Sequence, residues 1–266
     1  MSSKKKTNGD HENLPAVIAP PSLLAVAQPE AEDFGAMIEG QPRAAVIGIP
    51  IARIDHADHV FLVNGSPEPR IEGYPVFWFQ ARAWWKDGYR PGANNPPDCW
   101  SADMTEPSKG CDKPQSKTCA ACAMSKFGSA PVGRGQACKV NTFLFLVNPA
   151  FGSPPVLCLI LPPSSIRALM GTGRSPGYLQ RAKHFKDANG HAAKYYEVVW
   201  ARFALEKGGD RHDVLLPEPL FVCPNADEKR ALAALRGKFM QGMEAMRGEV
   251  PVMAGGEDGE GDGEAN

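Results

Sequence analysis

The stretch YPVFWFQARAWW, residues 74–85, decides the fold of this chain. Its side chains alternate with a period of two, which is the period of an extended strand whose successive side chains point to opposite faces of a sheet. One face carries Phe77, Phe79, Ala81, Ala83 and Trp85. The other face carries Val76, Trp78, Gln80, Arg82 and Trp84. The pattern predicts a long strand with one face in the core and one face that mixes aromatic rings with polar groups.

Further strands are expected on both sides of this stretch, at Ala44–Ile51, Val60–Val63, Asn141–Val147, Val156–Leu161, Tyr195–Leu205 and Val214–Val222. Short helices are expected at 164–170 and 176–187. A longer helix is expected to begin after a cap at Asn225, with Glu228 three residues on, and to run to about Met246. Six or more strands with short turns indicate a mainly β (α+β) protein, either a small embellished β-barrel or an antiparallel α+β domain.

Composition excludes several classes and locates the charge. The chain has 266 residues, of which 43 % are hydrophobic, and this excludes fibrous, collagen-like and wholly disordered proteins. The formal net charge of −1 hides an asymmetry, because residues 249–266 hold six acids and no Lys or Arg. Residues 1–248 therefore carry 29 basic against 24 acidic side chains, a net charge of +5. A basic body allows a polyanionic partner that the total charge alone would argue against.

The organisation of the chain follows from the same composition. Residues 1–40 are rich in Pro, Ala and Glu and are expected to form a flexible arm, residues 41–248 a single domain, and residues 249–266 a disordered acidic tail. No apolar run approaches the ~20 residues of a membrane span, and no apolar segment of a signal peptide precedes Asn13. We therefore expect a cytoplasmic protein with no membrane partner; the residues allow an oligomer.

Five of the seven cysteines lie between residues 99 and 138. Cys119-Ala-Ala-Cys122 is a tight pair suited to one tetrahedral metal ion, and Cys138 and either Cys99 or Cys111 would complete four thiolates. Four protein ligands leave no open coordination position, so the expected Zn²⁺ is structural. A redox dithiol and unligated thiols are the alternatives. Cys158 and Cys223 lie in apolar strands and are expected in the core.

Aromatic and basic residues of the central strand indicate a nucleic-acid contact. Single-stranded nucleic acid is held by aromatic side chains on which bases stack, together with cations along the backbone. The residues expected to do this around the strand are Trp78, Arg82, Trp84, Lys86 and Arg90. Residues 109–139 add six Lys or Arg against Asp112, among them Lys126, Arg134 and Lys139. Burial of both strand faces and a merely solvated basic loop are the alternative interpretations.

Catalytic motifs are missing from the sequence. It contains no G-x-x-x-x-G-K-[ST], no H-E-x-x-H and no G-x-S-x-G, and no cluster of carboxylates suited to two metal ions. We therefore expect a protein that is not an enzyme.

The cysteine block resembles a signature of phage and prophage proteins described as single-stranded DNA-binding or replication-associated. The resemblance rests on Cys99-Trp-Ser-Ala-Asp103, Pro114-Gln-Ser-Lys-Thr-Cys119-Ala-Ala-Cys122, Phe127-Gly-Ser129 and Gly133-Arg-Gly-Gln-Ala-Cys138-Lys139, and Leu161-Pro-Pro-Ser-Ser165 is also similar. It covers roughly residues 70–205. It implies an OB-like antiparallel β-barrel, a zinc-binding insertion at about 99–139 and a role in DNA replication or recombination. In this signature a Cys-x-Ser-x-Asp element opens the metal site, which favours Cys99 over Cys111.

These observations together lead us to expect a non-enzymatic, zinc-stabilised single-stranded DNA-binding protein. Its acidic tail would recruit replication or recombination proteins or mask the DNA-binding groove. A zinc-stabilised adaptor for protein interaction or transcription is the second hypothesis, and a nuclease is the third.

Deletion of residues 249–266 is expected to tighten the binding of single-stranded DNA at low salt, because it removes six acids that compete with phosphates for the same cations. Titration of a labelled oligonucleotide with the full and the truncated chain measures this difference. An unchanged dissociation constant would leave the tail as a solubility device.

Overall fold

The computed structural model describes residues 49–87, 97–111, 113–152, 154–172, 175–187, 189–208 and 212–248. Its strands are β1 (Ile51–Asp55), β2 (Val60–Val63), β3 (Ser66–Glu68), β4 (Arg70–Trp84), β5 (Cys99–Ser101), β6 (Lys139–Val147), β7 (Val156–Leu161), β8 (Gly171–Thr172), β9 (Ser175–Pro176), β10 (Val199–Gly208) and β11 (His212–Val222). Its α-helices are α1 (Ile166–Met170), α2 (Tyr178–Lys183) and α3 (Ala226–Gly248).

One curled, open sheet forms the body of the protein. The strand order is β11-β10-β4-β6-β7-β1-β2-β3, β5 pairs with the far end of β4, and β8 and β9 form a separate small hairpin. Neighbouring strands in the large sheet are antiparallel except β1 and β7, which are parallel. The prediction of a mainly β protein with a C-terminal helix is confirmed.

The predicted alternation of the central strand is present in β4. The side chains of Phe77, Phe79, Ala81 and Ala83 are buried, and the opposite face from Trp78 to Trp84 is half-buried. The pairing of β4 with β6 is irregular between Pro75 and Phe77. Pro75 has no backbone N–H to donate to the neighbouring strand. Gly73 lies so close to β6 that a Cβ there would come within 2.8 Å of the Val147 carbonyl oxygen.

Helix α3 covers the aromatic centre of the sheet. Phe79 of β4 stacks on Phe143 of β6 at 4.7 Å between ring centroids. Phe239 of α3 lies 5.7 Å from the ring of Phe77 and 4.5 Å from the ring of Phe145. The helix therefore closes the core on this side of β4.

The predicted cap at the start of α3 is confirmed, and the side chain of Glu228 makes a contact in the core. Asn225 Oδ1 accepts hydrogen bonds from the backbone N–H groups of Asp227 and Glu228, at 2.8 and 3.3 Å. The Glu228 carboxylate accepts a hydrogen bond from Cys223 Sγ at 3.2 Å, inside the core. The N-terminal end of α3 is thus anchored to the chain that leaves β11.

Most predicted elements are confirmed, although most of them have different bounds. Strands β2 and β7 have the predicted limits, and Cys158 and Cys223 are fully buried as expected. The strand predicted at Ala44–Ile51 is wrong in its described part, since the strand begins at Ile51 and residues 44–48 lie outside the described residues. The helix predicted at 176–187 is shorter and comprises only α2. The strand predicted at Tyr195–Leu205 begins later, at Val199, and a 3-10 turn at Tyr196–Val198 precedes it.

The arm predicted for residues 1–40 and the tail predicted for residues 249–266 both lie outside the described residues. Within the described part of the chain, no helix has the length and apolar character needed to cross a membrane.

Substitution Phe239→Ala is expected to lower the free energy of unfolding by about 3–5 kcal/mol, because it leaves a cavity between α3 and the sheet. The control is Met240→Ala on the same helix, whose side chain is 39 % exposed and should cost less than about 1 kcal/mol. Urea unfolding followed by circular dichroism measures both. Equal losses for the two variants would contradict the packing of α3 on β4 and β6.

Candidate metal centre and nucleic-acid surface

Strand β5 places the first cysteine against the sheet. In the antiparallel pairing of β4 and β5, Cys99 lies opposite Trp84, and Ser101 lies opposite Arg82. Side chains of directly opposed residues project from the same face of a sheet. Cys99 therefore projects from the β4 face that carries Arg82 and Trp84, and it is buried there.

The Cys119-Ala-Ala-Cys122 segment is one tight turn. The backbone N–H of Cys122 donates to the carbonyl oxygen of Cys119 at 3.3 Å. The buried hydroxyl of Ser125 lies 2.8 Å from the carbonyl oxygens of both Cys119 and Cys122. These bonds hold the backbone of both cysteines in a fixed relation.

The last cysteine of the cluster is fixed by its backbone where the chain re-enters the sheet. Cys138 directly precedes β6, and its N–H donates to the carbonyl oxygen of Met124 at 2.8 Å. The turn that carries Cys119 and Cys122 is thereby held beside the first residues of β6.

Four thiols line one small cavity. It is bounded by Cys99, Cys119, Cys122 and Cys138 together with Arg82, Ser101 and a few neighbouring side chains. These are the four cysteines expected to hold zinc. Their side chains are gathered around the cavity but are not drawn onto a common point: within the described residues, no three or more His, Cys, Asp or Glu side chains form a group that could hold a metal ion as they stand.

Cys111 lies outside this cavity, behind Cys99. Its Sγ accepts a hydrogen bond from the backbone N–H of Trp100 at 3.0 Å. A hydrogen bond between the two thiols lowers the pKa of Cys99 and raises that of Cys111. Cys111 is therefore a neighbour of Cys99 and not a further wall of the cavity.

Burial opposes ionisation of two of the cavity thiols, Cys119 and Cys138, and one cation favours it. Burial raises the pKa of Cys138 to about 12 and also raises the pKa of Cys119. The positive charge of Arg82 acts in the opposite direction on both thiols. Without a further cation, Cys119 and Cys138 are therefore favoured as neutral thiols.

Arg82 is turned towards the cysteines. Its Nε and Nη1 atoms are buried, and neither has a hydrogen-bond partner among the described residues. Sequence reasoning took an arginine at this position as a sign of an open surface, because unpaired arginines are rarely buried. The structure differs because the cysteine turn lies over this end of β4, beside which β5 pairs in the sheet.

The other aromatic residues of the predicted face lie in separate surroundings. Trp78 lines an open groove between β4 and α3, where Met240, Asp103 and Glu244 are also found. Its indole is hydrogen-bonded to the hydroxyl of Tyr196. The two carboxylates disfavour a phosphate in this groove. Trp84 is half-buried beside the cysteine cavity, Lys86 is exposed, and Arg90 lies outside the described residues.

The cysteine segment exposes several cations and contains no acid of its own after Asp112. All five Lys and Arg residues of 113–139 are exposed, and that stretch contains no Asp or Glu. They are Lys113, Lys117, Lys126, Arg134 and Lys139. Lys126 donates from Nζ to the carbonyl oxygen of Ala120 at 2.7 Å, so its charge is fixed against the cysteine turn.

An exposed phenylalanine stands within this surface. Phe127 is 83 % exposed and belongs to residues 126–135, here called the basic loop. The N–H of Gly128 donates to the carbonyl oxygens of Arg134 and Gly135, at 3.1 and 2.9 Å. Ser129 Oγ lies 2.9 Å from the Met124 carbonyl oxygen. The loop is thus internally bonded, and it presents an aromatic ring to solvent.

Sequence reasoning did not select Phe127 as a binding residue. The available signal was an aromatic residue next to Lys126 in a polar stretch without periodicity, where no core face requires a large apolar side chain. The exposed Val132, at 87 %, lies in the same loop and shares this signal.

Comparisons of the chain with models of protein families, with curated proteins and with solved structures give no match.

Proposed function

We propose that this chain is a non-enzymatic, zinc-stabilised protein that binds single-stranded DNA and acts in DNA replication or recombination. The observation that carries the proposal is segment 113–139, which contains no acid of its own and exposes five cations and the ring of Phe127. Exposed aromatic rings together with cations are the groups with which proteins hold single-stranded nucleic acid.

The two parts of this surface would have different tasks. Arg134, Lys139 and the neighbouring lysines would neutralise phosphates, which gives a salt-dependent affinity with little sequence preference. Phe127 would stack on a base, a contact worth ~1–3 kcal/mol per base. Trp84, which pairs with Cys99, and the exposed Lys86 would extend this surface at the end of β4.

Zinc would order the segment that presents this surface. Cys99, Cys119, Cys122 and Cys138 would hold the ion, since all four line one cavity. Thiolates are the ligands that structural zinc prefers, and four of them leave no position for catalysis. Segment 113–139 has few buried side chains, so the free energy of metal binding would contribute to its folding.

Two finer parts of the proposal come from the resemblance. The curled open sheet with its inserted cysteine segment would correspond to an OB-like barrel. The acidic residues 249–266 would compete with DNA for the basic surface or recruit replication proteins.

Purified protein is expected to contain one zinc ion per chain, measured by elemental analysis after dialysis. Cys138→Ser is expected to lose the ion, because it removes one of four ligands. Cys111→Ser is the matched control and should retain it, since Cys111 lies outside the cavity. Zinc lost from Cys111→Ser and kept by Cys138→Ser would contradict the proposed set of ligands.

Phe127→Ala is expected to weaken the binding of a labelled oligonucleotide about 5- to 150-fold, the loss of one base stack. Tyr195→Ala is the control, since Tyr195 is 59 % exposed but lies outside the cysteine segment. Fluorescence anisotropy at two salt concentrations measures both dissociation constants. Arg134→Ala should also reduce the slope of log K against log salt by ~0.7 if Arg134 contacts one phosphate.

Absence of salt-dependent DNA binding by the zinc-loaded wild-type chain would overturn the DNA part of the proposal. Capture of a polymerase or recombinase without DNA would then favour the adaptor hypothesis. Cleavage of the oligonucleotide with Mg²⁺ present would favour a nuclease.

A further inference from the structure

The guanidinium of Arg82 is a buried charge whose compensation is incomplete. Its Nε and Nη1 atoms are shielded from solvent and have no hydrogen-bond acceptor among the described residues. Burial of a charged group without a partner costs several kcal/mol. A residue in this position requires a compensating anion or acceptor close by.

The surroundings of Arg82 show where such an anion would lie. Arg82 lines the same cavity as Cys99, Cys119, Cys122 and Cys138. It therefore lies beside all four of the proposed zinc ligands. Protonated thiols are weak acceptors, whereas thiolates are anions that accept N–H donors.

The rest of the cluster supplies no other buried cation. Within the described residues, the lysines and the arginine of the cysteine segment are exposed, and Lys126 is bonded to a backbone carbonyl oxygen outside the cavity. Arg82 reaches the cavity from the sheet, through a β4 position that pairs with both β5 and β6. The cation is therefore held by the most constrained strand of the fold.

We propose that Arg82 is the charge and hydrogen-bond partner of the metal-bound thiolates, and that it sets the zinc affinity of the cluster without being a ligand. This inference rests on the zinc part of the proposed function. With Zn²⁺ bound, the four thiolates and the ion would carry a net charge of −2. The guanidinium reduces that charge by one and donates N–H groups to sulfur.

From the sequence pattern, Arg82 was expected to contact DNA; as a thiolate partner it has a different role. As a thiolate partner, Arg82 is a positioning residue whose loss affects the metal first. As a phosphate contact, its loss would affect the salt dependence of DNA binding first. The two roles are separated by measuring zinc affinity and DNA binding on the same variants.

The test uses the full chain with Arg82→Gln, Arg82→Lys and Arg134→Gln. The last is the matched control, because it removes one exposed positive charge from the cysteine segment. Zinc affinity is measured by competition with a chromophoric chelator, and Co²⁺ replaces zinc as a spectroscopic probe. Arg82→Gln is expected to weaken zinc binding 10- to 100-fold, the usual effect of losing a group that supports metal ligands. Arg134→Gln should change it less than about 2-fold.

The cobalt spectrum distinguishes this role from a merely structural one. Loss of N–H donors makes the thiolates more electron-rich, so the sulfur-to-cobalt charge-transfer band of Arg82→Gln should move to lower energy. Arg82→Lys keeps the charge but not the planar donors, so it should shift the band while losing less zinc affinity. If Arg82→Gln does not fold, Arg82→Lys decides alone, and a wild-type band and affinity would overturn the proposal.

Other outcomes are equally decisive. Wild-type zinc affinity and an unshifted band in Arg82→Gln would overturn the proposal and leave the zinc site intact. A reduced salt slope for DNA binding, with unchanged zinc affinity, would assign Arg82 to a phosphate instead. Failure of the wild-type chain to bind zinc would remove the zinc part of the proposed function and this inference with it, whereas DNA binding is measured independently.

Discussion

The pairing of β4 with three other strands is the constraint on which the rest of the structure depends. The first residues of β4 pair with β10, and its middle pairs with β6. Arg82 and Ala83 pair with both β5 and β6, and Trp84 pairs with β5 alone. The middle of β4 supplies the rings that stack on β6 and α3. The last residues of β4 include Arg82 and pair with β5, the strand that carries Cys99. A single strand therefore joins the hydrophobic core to the cysteine cavity, and displacement of its register would disturb both.

The cysteine cavity combines groups that are unfavourable separately. Burial raises the pKa of Cys119 and Cys138, and the guanidinium of Arg82 is buried beside them without an acceptor for two of its nitrogens. Ionised thiolates would compensate the arginine, and a divalent cation would compensate the remaining negative charge. In our proposal, metal binding and ordering of the segment are one event. The basic loop with Phe127 would then be held as a binding surface instead of fluctuating as an unsupported loop.

Local patterns in the sequence were sufficient for some elements and insufficient for others. The limits of β2 and β7 follow from apolar runs closed by turn residues, and the Asn225 cap marks the start of α3. Strand β1 was misplaced because the prediction followed the apolar run that ends at Ile51, whereas the strand uses residues 51–55, which include the polar Arg53 and Asp55 and pair with β2 across a short turn. Helix α2 ends at Lys183 because the chain folds back there: the Lys194 N–H donates to the carbonyl oxygen of Lys183, and the Ala193 N–H donates to that of Phe185. The four cavity cysteines could be selected from spacing and resemblance, whereas Phe127 could not, since nothing in its neighbours' pattern shows which side of a loop faces water.

The sequence by itself determined the β class, the alternation of β4, the capped helix, and the cysteines and cations concentrated in one segment. These follow from periodicity, capping chemistry and composition, which act between residues close together in the chain. Only the tertiary structure decided what covers the mixed face of β4 and which side chains are left in solvent. The cysteine turn encloses Arg82 with the thiols, α3 confines Trp78 to a groove with two carboxylates, and the basic loop leaves Phe127 in solvent. Burial of a half-polar face is set by what packs over it, and the packing segments lie far away in sequence.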